Sequence, residues 1–203
     1  MAIEFKSKIY AGKSPVFWRG EAKILPGGFQ LKQTFPAGTQ IPRGTFLEIE
    51  IGTLKAAVVK HLNVVNGGTT QKPRVQKGSL IQTGDVLMKE GGQVSVTVSS
   101  VDSSNTEYDV VNLSSAITGL TAGDMLVEAK AVSTDAAEAK YEPNSVVGET
   151  TDPLAGNDQD TVSAAYDCVV LLGYIPDFPK SWLVNPDRGM CLKNNPNIVF
   201  AKQ

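Results

Sequence analysis

Gly38-Thr39-Gln40-Ile41-Pro42-Arg43-Gly44-Thr45-Phe46-Leu47 and Gly78-Ser79-Leu80-Ile81-Gln82-Thr83-Gly84-Asp85-Val86-Leu87 share the phrase GxxIxxGxxL without a gap. Leu120-Thr121-Ala122-Gly123-Asp124-Met125-Leu126 keeps its second half, with Ile117 where the first Gly would stand. The phrase describes a corner. The Ile plugs a core, the Gly after it supplies the positive φ of a tight turn, and the Leu opens the next strand. A chain that repeats this corner is committed to short strands. The third copy does not keep the spacing of the first two, which argues against a solenoid or propeller.

The stretches between corners agree with that reading. Phe46-Leu47-Glu48-Ile49-Glu50-Ile51, after its first residue, and Gln93-Val94-Ser95-Val96-Thr97-Val98 alternate, placing their apolar side chains on one face at period two. Further strands are predicted at Ala57–Val64, Asp109–Leu113, Leu126–Ala131, Ser163–Leu172 and Ile198–Ala201. Nineteen Gly and eleven Pro punctuate them, as at Pro26-Gly27-Gly28, Asn66-Gly67-Gly68 and Gly91-Gly92. Helical signal is confined to Thr134-Asp135-Ala136-Ala137-Glu138-Ala139-Lys140, with Thr134 or Asp135 as N-cap, and to a brief turn over Ser114–Leu120. The expected fold is mainly β: a small barrel, sandwich or β-clip with short helical turns and extended N- and C-terminal arms. Its expected parts are an N-terminal arm (1–34), a β-rich core (35–131), an acidic loop excursion (132–162), and a returning strand with a Pro-rich extended tail (163–203).

Charge and composition exclude several classes of function. With 203 residues the chain can build its own core. A net charge of −2 argues against a general nucleic-acid binder. Locally, residues 1–60 carry nine Lys/Arg against four Asp/Glu, while residues 131–162 carry one against seven. Such opposed ends read as solvated faces, or as complementary surfaces for neighbouring subunits. The apolar runs are too short to span a bilayer, so no membrane is expected. The charged start MAIEFKSKIY lacks the apolar core of an export signal. Two cysteines, Cys168 and Cys191, give no disulfide framework, which fits a protein made in a reducing cytoplasm.

Chemistry-bearing residues are few. His61 is the single histidine, on a predicted strand, and with two separated cysteines it cannot complete a zinc site of the usual four ligands. Carboxylates are scattered rather than paired. No cofactor, metal or catalytic residue is therefore assigned, and an enzyme is not expected. A hydrolase built on His61 would need a carboxylate within hydrogen-bond reach. Ala11-Gly12-Lys13-Ser14 ends like a phosphate-binding loop, but Ser7 stands where its first Gly belongs. Gly78–Leu87 looks like the turn of lipoyl or biotinyl carriers, yet Lys89 follows too early to sit at a hairpin tip. Tyr10, Phe17, Trp18 and Arg19 fit an anchoring arm better than a base-stacking surface.

Three stretches together resemble one family. Phe35-Pro36-Ala37-Gly38-Thr39-Gln40-Ile41-Pro42-Arg43-Gly44-Thr45 resembles a strand-turn phrase of tailed-bacteriophage head decoration proteins. Leu120–Ala129 is similar to a segment of head-fibre and head-decoration proteins of gut-phage type, and Leu192–Phe200 to the C-termini of that group. The resemblance implies a structural virion protein on the capsid exterior, binding the major capsid protein as a homo-oligomer, with a trimer favoured. In that role it would cement the lattice or anchor a fibre. The present chain departs from the simplest members by its length, its acidic insert and its Pro-rich tail. On this reading Phe17, Trp18 and Arg19 of the arm, with Trp182, Leu183 and Phe200 of the tail, are the expected contact residues. A carbohydrate- or receptor-binding β-domain of a fibre, using Trp182 or Tyr174, is the alternative.

Overall fold

The structure, a computed structural model, describes residues 22–185 and 190–202. Its organising feature is two closed β units, with the chain crossing from the first to the second after Val58 and returning to the first between Glu128 and Ser145. In the first, β1 (Lys23–Leu31), β3 (Lys55–Val58), β2 (Phe46–Glu50), β10 (Ser145–Val147) and β11 (Thr161–Leu171) pair in that order. β1 then returns to pair antiparallel with β11, closing a five-stranded ring. In the second, β4 (His61–Val65), β5 (Arg74–Gln76), β8 (Tyr108–Leu113), β7 (Ser95–Asp102), β6 (Val86–Lys89) and β9 (Met125–Glu128) form a closed six-stranded barrel. Closure removes sheet edges from both units. The mainly-β barrel class expected from the sequence is the one observed.

The repeated phrase builds the same corner three times. Thr45 N–H bonds Pro42 O, Asp85 N–H bonds Gln82 O, and Asp124 N–H bonds Thr121 O, at 3.1–3.2 Å. The central glycines Gly44, Gly84 and Gly123 hold φ of 83–94°, the left-handed value a type II turn requires. Ile41, Ile81 and Leu120 are buried before each turn, and Leu47, Leu87 and Leu126 are fully buried after it. Leu47 and Ile41 fill the ring beside Phe29 and Phe35. Leu87, Leu126, Ile81 and Ile117 fill the barrel beside Val75 and Val98.

A third core joins the two units. Leu172–Tyr174 and Lys180–Trp182 are single 3₁₀ turns, after which β12 (Leu183–Val184), β13 (Cys191–Leu192) and β14 (Asn195–Ala201) fold back. β14 adds to β11 in parallel, so the tail extends the ring's sheet. Its apolar residues meet Phe46 and Val146 from the ring and Met88 and Val127 from the barrel.

Several boundaries differ from the sequence expectation. Part of the predicted arm is β1. The Pro26-Gly27-Gly28 cluster lies within that strand as an irregularity between Leu25 and Phe29, where Gly28 takes φ 67°. The predicted core 35–131 is divided between two units. Ala57–Val64 is likewise two strands, because Val59 and Lys60 carry the chain from ring to barrel. The predicted acidic excursion contains β10, whose three residues are all buried. Its loop is tied down by Asp160, whose carboxylate accepts from the N–H groups of Ala155, Gly156 and Asn157 at 2.8–3.2 Å. The predicted helix at 134–140 does not form. Bridges Ser95–Ser133 and Ala129–Ala139, with Lys140 N–H on Glu128 O, lay the segment along the barrel wall instead. Tertiary pairing outweighs the helix propensity of a seven-residue stretch.

Candidate functional site

The seam between ring and barrel gathers Lys60, His61, Asn63, Ser79 and Asp177 around one cavity. Along β4 the side chains alternate, so Leu62 and Val64 enter the barrel while His61 and Asn63 share the outer face. The His61 ring meets Phe46 and Trp182 edge-on, with centroids 5.5 and 5.2 Å away. Phe178 and Phe200 complete an aromatic cluster around Phe46.

His61 Nδ1 donates to the Val59 carbonyl at 3.3 Å. Burial among the rings lowers the imidazole pKa to about 4, against the smaller opposing pull of the Val59 carbonyl. The ring is therefore neutral at pH 7, with its proton on Nδ1. No carboxylate hydrogen-bonds it among the described residues, so the geometry expected of a His61 hydrolase is not the one observed there. Cys168 is buried and its thiol is pushed up to about 12, chiefly by desolvation and secondarily by Asp167, which keeps it protonated. Among the described residues no three His, Cys, Asp or Glu side chains are grouped to hold a metal ion.

The His61 shift makes a stability prediction. The unfolded ring titrates near 6.5 and the folded ring near 4, so unfolded chains bind more protons between those values. The contribution is whole above pH 6.5 and is lost as pH falls through 4, amounting to about 3 kcal/mol. Urea midpoints at pH 7 and pH 4.5 for the native chain and for His61→Leu check this. The native chain should lose more stability on acidification than the variant does; equal losses would contradict the assignment.

Beside the cluster lies a cavity of about 140 Å³. The turn at 42–45, the crossover 58–63, residues 76–80 and the tail at 174–177 line it. Asn63 Nδ2 donates to Asp177 Oδ2 at 2.8 Å, tying the barrel to the tail across the cavity. Lys60 forms a 2.7 Å ion pair with Asp85, its own side chain only 3% exposed. Asp85 also accepts from Gln82 N–H, and Lys60 Nζ sits 5.3 Å from the Phe35 ring centroid. Lys77 is paired with Asp109 at 2.8 Å.

The expected contact residues are placed differently. Trp182 and Leu183 are each 9% exposed and Phe200 3%, all within the core that joins the two units. This corrects their expected role as partner contacts. Both closed units carry apolar residues on their outer walls, and the chain's own tail covers them. Phe17, Trp18 and Arg19 lie outside the described residues. Among the described residues the exposed large apolar side chains are Val132, Tyr166, Tyr174, Val184 and, together on the tip between β2 and β3, Ile51 at 65% and Leu54 at 54%. Strand alternation had placed Ile51 inside with Leu47 and Ile49. It lies one residue beyond β2, where the pleat no longer governs direction. Asn63, Ser79 and Asp177 were not singled out by sequence; only the His-x-Asn spacing on one strand could have signalled any of them.

Comparison of the chain with protein-family models, with curated proteins and with solved structures finds no match. No helix among the described residues is long and apolar enough to cross a membrane.

Proposed function

We propose that this chain is a structural virion protein. On this reading it binds the major capsid protein on the outside of a phage head, as a homo-oligomer with a trimer favoured, and cements the lattice or anchors a fibre. The sequence phrases that resemble head decoration proteins motivate the reading, and the β2–β3 tip is the observation that carries it. There two large aliphatic side chains, Ile51 and Leu54, stand in water together. Leu54 holds φ 52°, a conformation that costs a bulky residue about 1–2 kcal/mol. The Gln30 N–H bond to Leu54 O, 2.9 Å long, fixes that backbone in place. A strained and apolar tip is a poor design for a solvated turn and a good one for insertion into a partner's surface. Binding to the assembled lattice but not to its free subunits would stabilise the shell by mass action, and linked copies would gain avidity.

Co-sedimentation with capsids stripped of decoration tests the proposal. The native chain should pellet with them. Ile51→Asp/Leu54→Asp should bind about 100-fold more weakly, from roughly 1.5 kcal/mol per lost aliphatic contact, with its unfolding midpoint within error of native. A native chain left in the supernatant, or a variant that pellets equally well, would overturn it. Saturable glycan binding abolished by Tyr174→Ala would favour the fibre-lectin alternative, since Tyr174 remains exposed where Trp182 does not.

A further inference from the structure

Four buried side-chain polar atoms among the described residues lack a hydrogen-bond partner, and three of them, His61 Nε2, Asn63 Oδ1 and Ser79 Oγ, belong to residues lining the same cavity, the one on the His61 side of the aromatic cluster. Folded proteins leave few such atoms, so three at one cavity mark a place built to be completed. Their chemistry selects the occupant. His61 Nδ1 carries the ring proton toward Val59 O, which leaves Nε2 as an acceptor. The Asn63 amide spends a donor on Asp177, which leaves Oδ1 as an acceptor. Asp177 stands exposed at the cavity mouth, and among the described residues no cation pairs with it.

The positive charges around the cavity are already committed. Lys60 is held by Asp85 and Lys77 by Asp109, and Arg43 has an interaction of its own. An anion would therefore meet unpartnered acceptors and no free cation. A ligand with several donors meets two neutral acceptors, a hydroxyl and a carboxylate. The cavity holds about ten times the space one water needs, close to what accommodates a benzene-sized group.

We propose that the cavity between ring and barrel binds a guanidinium group through His61 Nε2, Asn63 Oδ1 and Ser79 Oγ, with the Asp177 carboxylate at its mouth. The planar fork of five N–H donors matches that set better than an ammonium does. The group would come either from free arginine or from an arginine side chain of a bound protein. The site stands on its own geometry and does not depend on the capsid reading.

His61 is the only histidine in the chain, so ¹⁵N-histidine labelling gives one imidazole to observe. Methylguanidinium at millimolar concentration, far below denaturing levels, should move the Nε2 resonance saturably in the direction of an acquired hydrogen bond. Methylammonium should not do so at the same concentration. Asn63→Leu should weaken the response about tenfold or more, the worth of one charge-assisted hydrogen bond. Ser79→Ala, a milder change, keeps the test open if Asn63→Leu fails to fold. Free arginine and N-acetyl-arginine methylamide then separate the two sources: tighter binding of the free amino acid assigns a small-molecule site, and tighter binding of the capped residue assigns an inserted side chain. An Nε2 signal that is hydrogen-bonded before any addition and unmoved by it would overturn the proposal, with water as the occupant. So would equal responses to methylammonium, or a response untouched in both variants.

Discussion

Phe46→Ala is expected to destabilise the chain by about 3–5 kcal/mol, a large share of the roughly 5–15 kcal/mol that keeps a domain folded. Phe46 opens β2 and is 1% exposed, but its ring faces away from the ring interior that Leu47 and Ile49 fill. It contacts His61 of the barrel and Phe178, Trp182 and Phe200 of the tail at centroid distances of 4.8–5.8 Å. Truncation removes a side chain that all three parts share, leaving a void that none of them can collapse into alone. Urea denaturation followed by circular dichroism checks it, with Phe46→Leu expected to cost far less. A loss below about 1 kcal/mol for Phe46→Ala would mean that the units are held together elsewhere.

Asp85→Ala is expected to cost about 3–5 kcal/mol, and Asp85→Ala/Lys60→Met to recover a large part of it. Asp85 follows the glycine of the second corner, and its carboxylate holds both Gln82 N–H and the buried Lys60 ammonium. Removing the carboxylate leaves the buried ammonium at the ring-to-barrel crossover without its ion-pair partner, beside the Phe35 ring face. Methionine keeps the length of the lysine stem without its charge, so the double variant separates the lost ion pair from the orphaned charge. Unfolding free energies of the two singles and the double decide it. If the double variant is no more stable than Asp85→Ala, the turn contact to Gln82 outweighs the pair.

The third corner repeats the arrangement, with Asp124 accepting from Thr121 N–H at 2.7 Å and pairing with Lys89 at 2.8 Å. This recurrence shows which parts of the fold were legible. The corners and the strands over 46–50, 108–113 and 161–171 follow from local spacing, because one face of each is buried and alternation reports it. β1 was hidden because a Pro-Gly-Gly cluster reads as a turn when nothing in the sequence reveals a β11 partner more than a hundred residues away. The two-residue strands β12 and β13 carry no period to read. The tail's need for an apolar surface was evident from Trp182 and Phe200. Whether its own chain or another supplied that surface depends on how two closed units meet, which no local pattern encodes. The cavity fails to show for the same reason: its walls come from four stretches distant in sequence, and only His61 and Asn63 are neighbours on one strand.

The barrel is threaded into the ring as one uninterrupted run from His61 to Glu128, and the two ends of that run lie beside each other, since His61 pairs with Val127. Such nesting imposes an order on biosynthesis. Every strand of the inner unit has been translated before β10 and β11 emerge, so it is complete while the outer unit still lacks two of its staves. The outer unit, whose first strand must wait for β11, closes late by necessity and seals the seam around a finished neighbour.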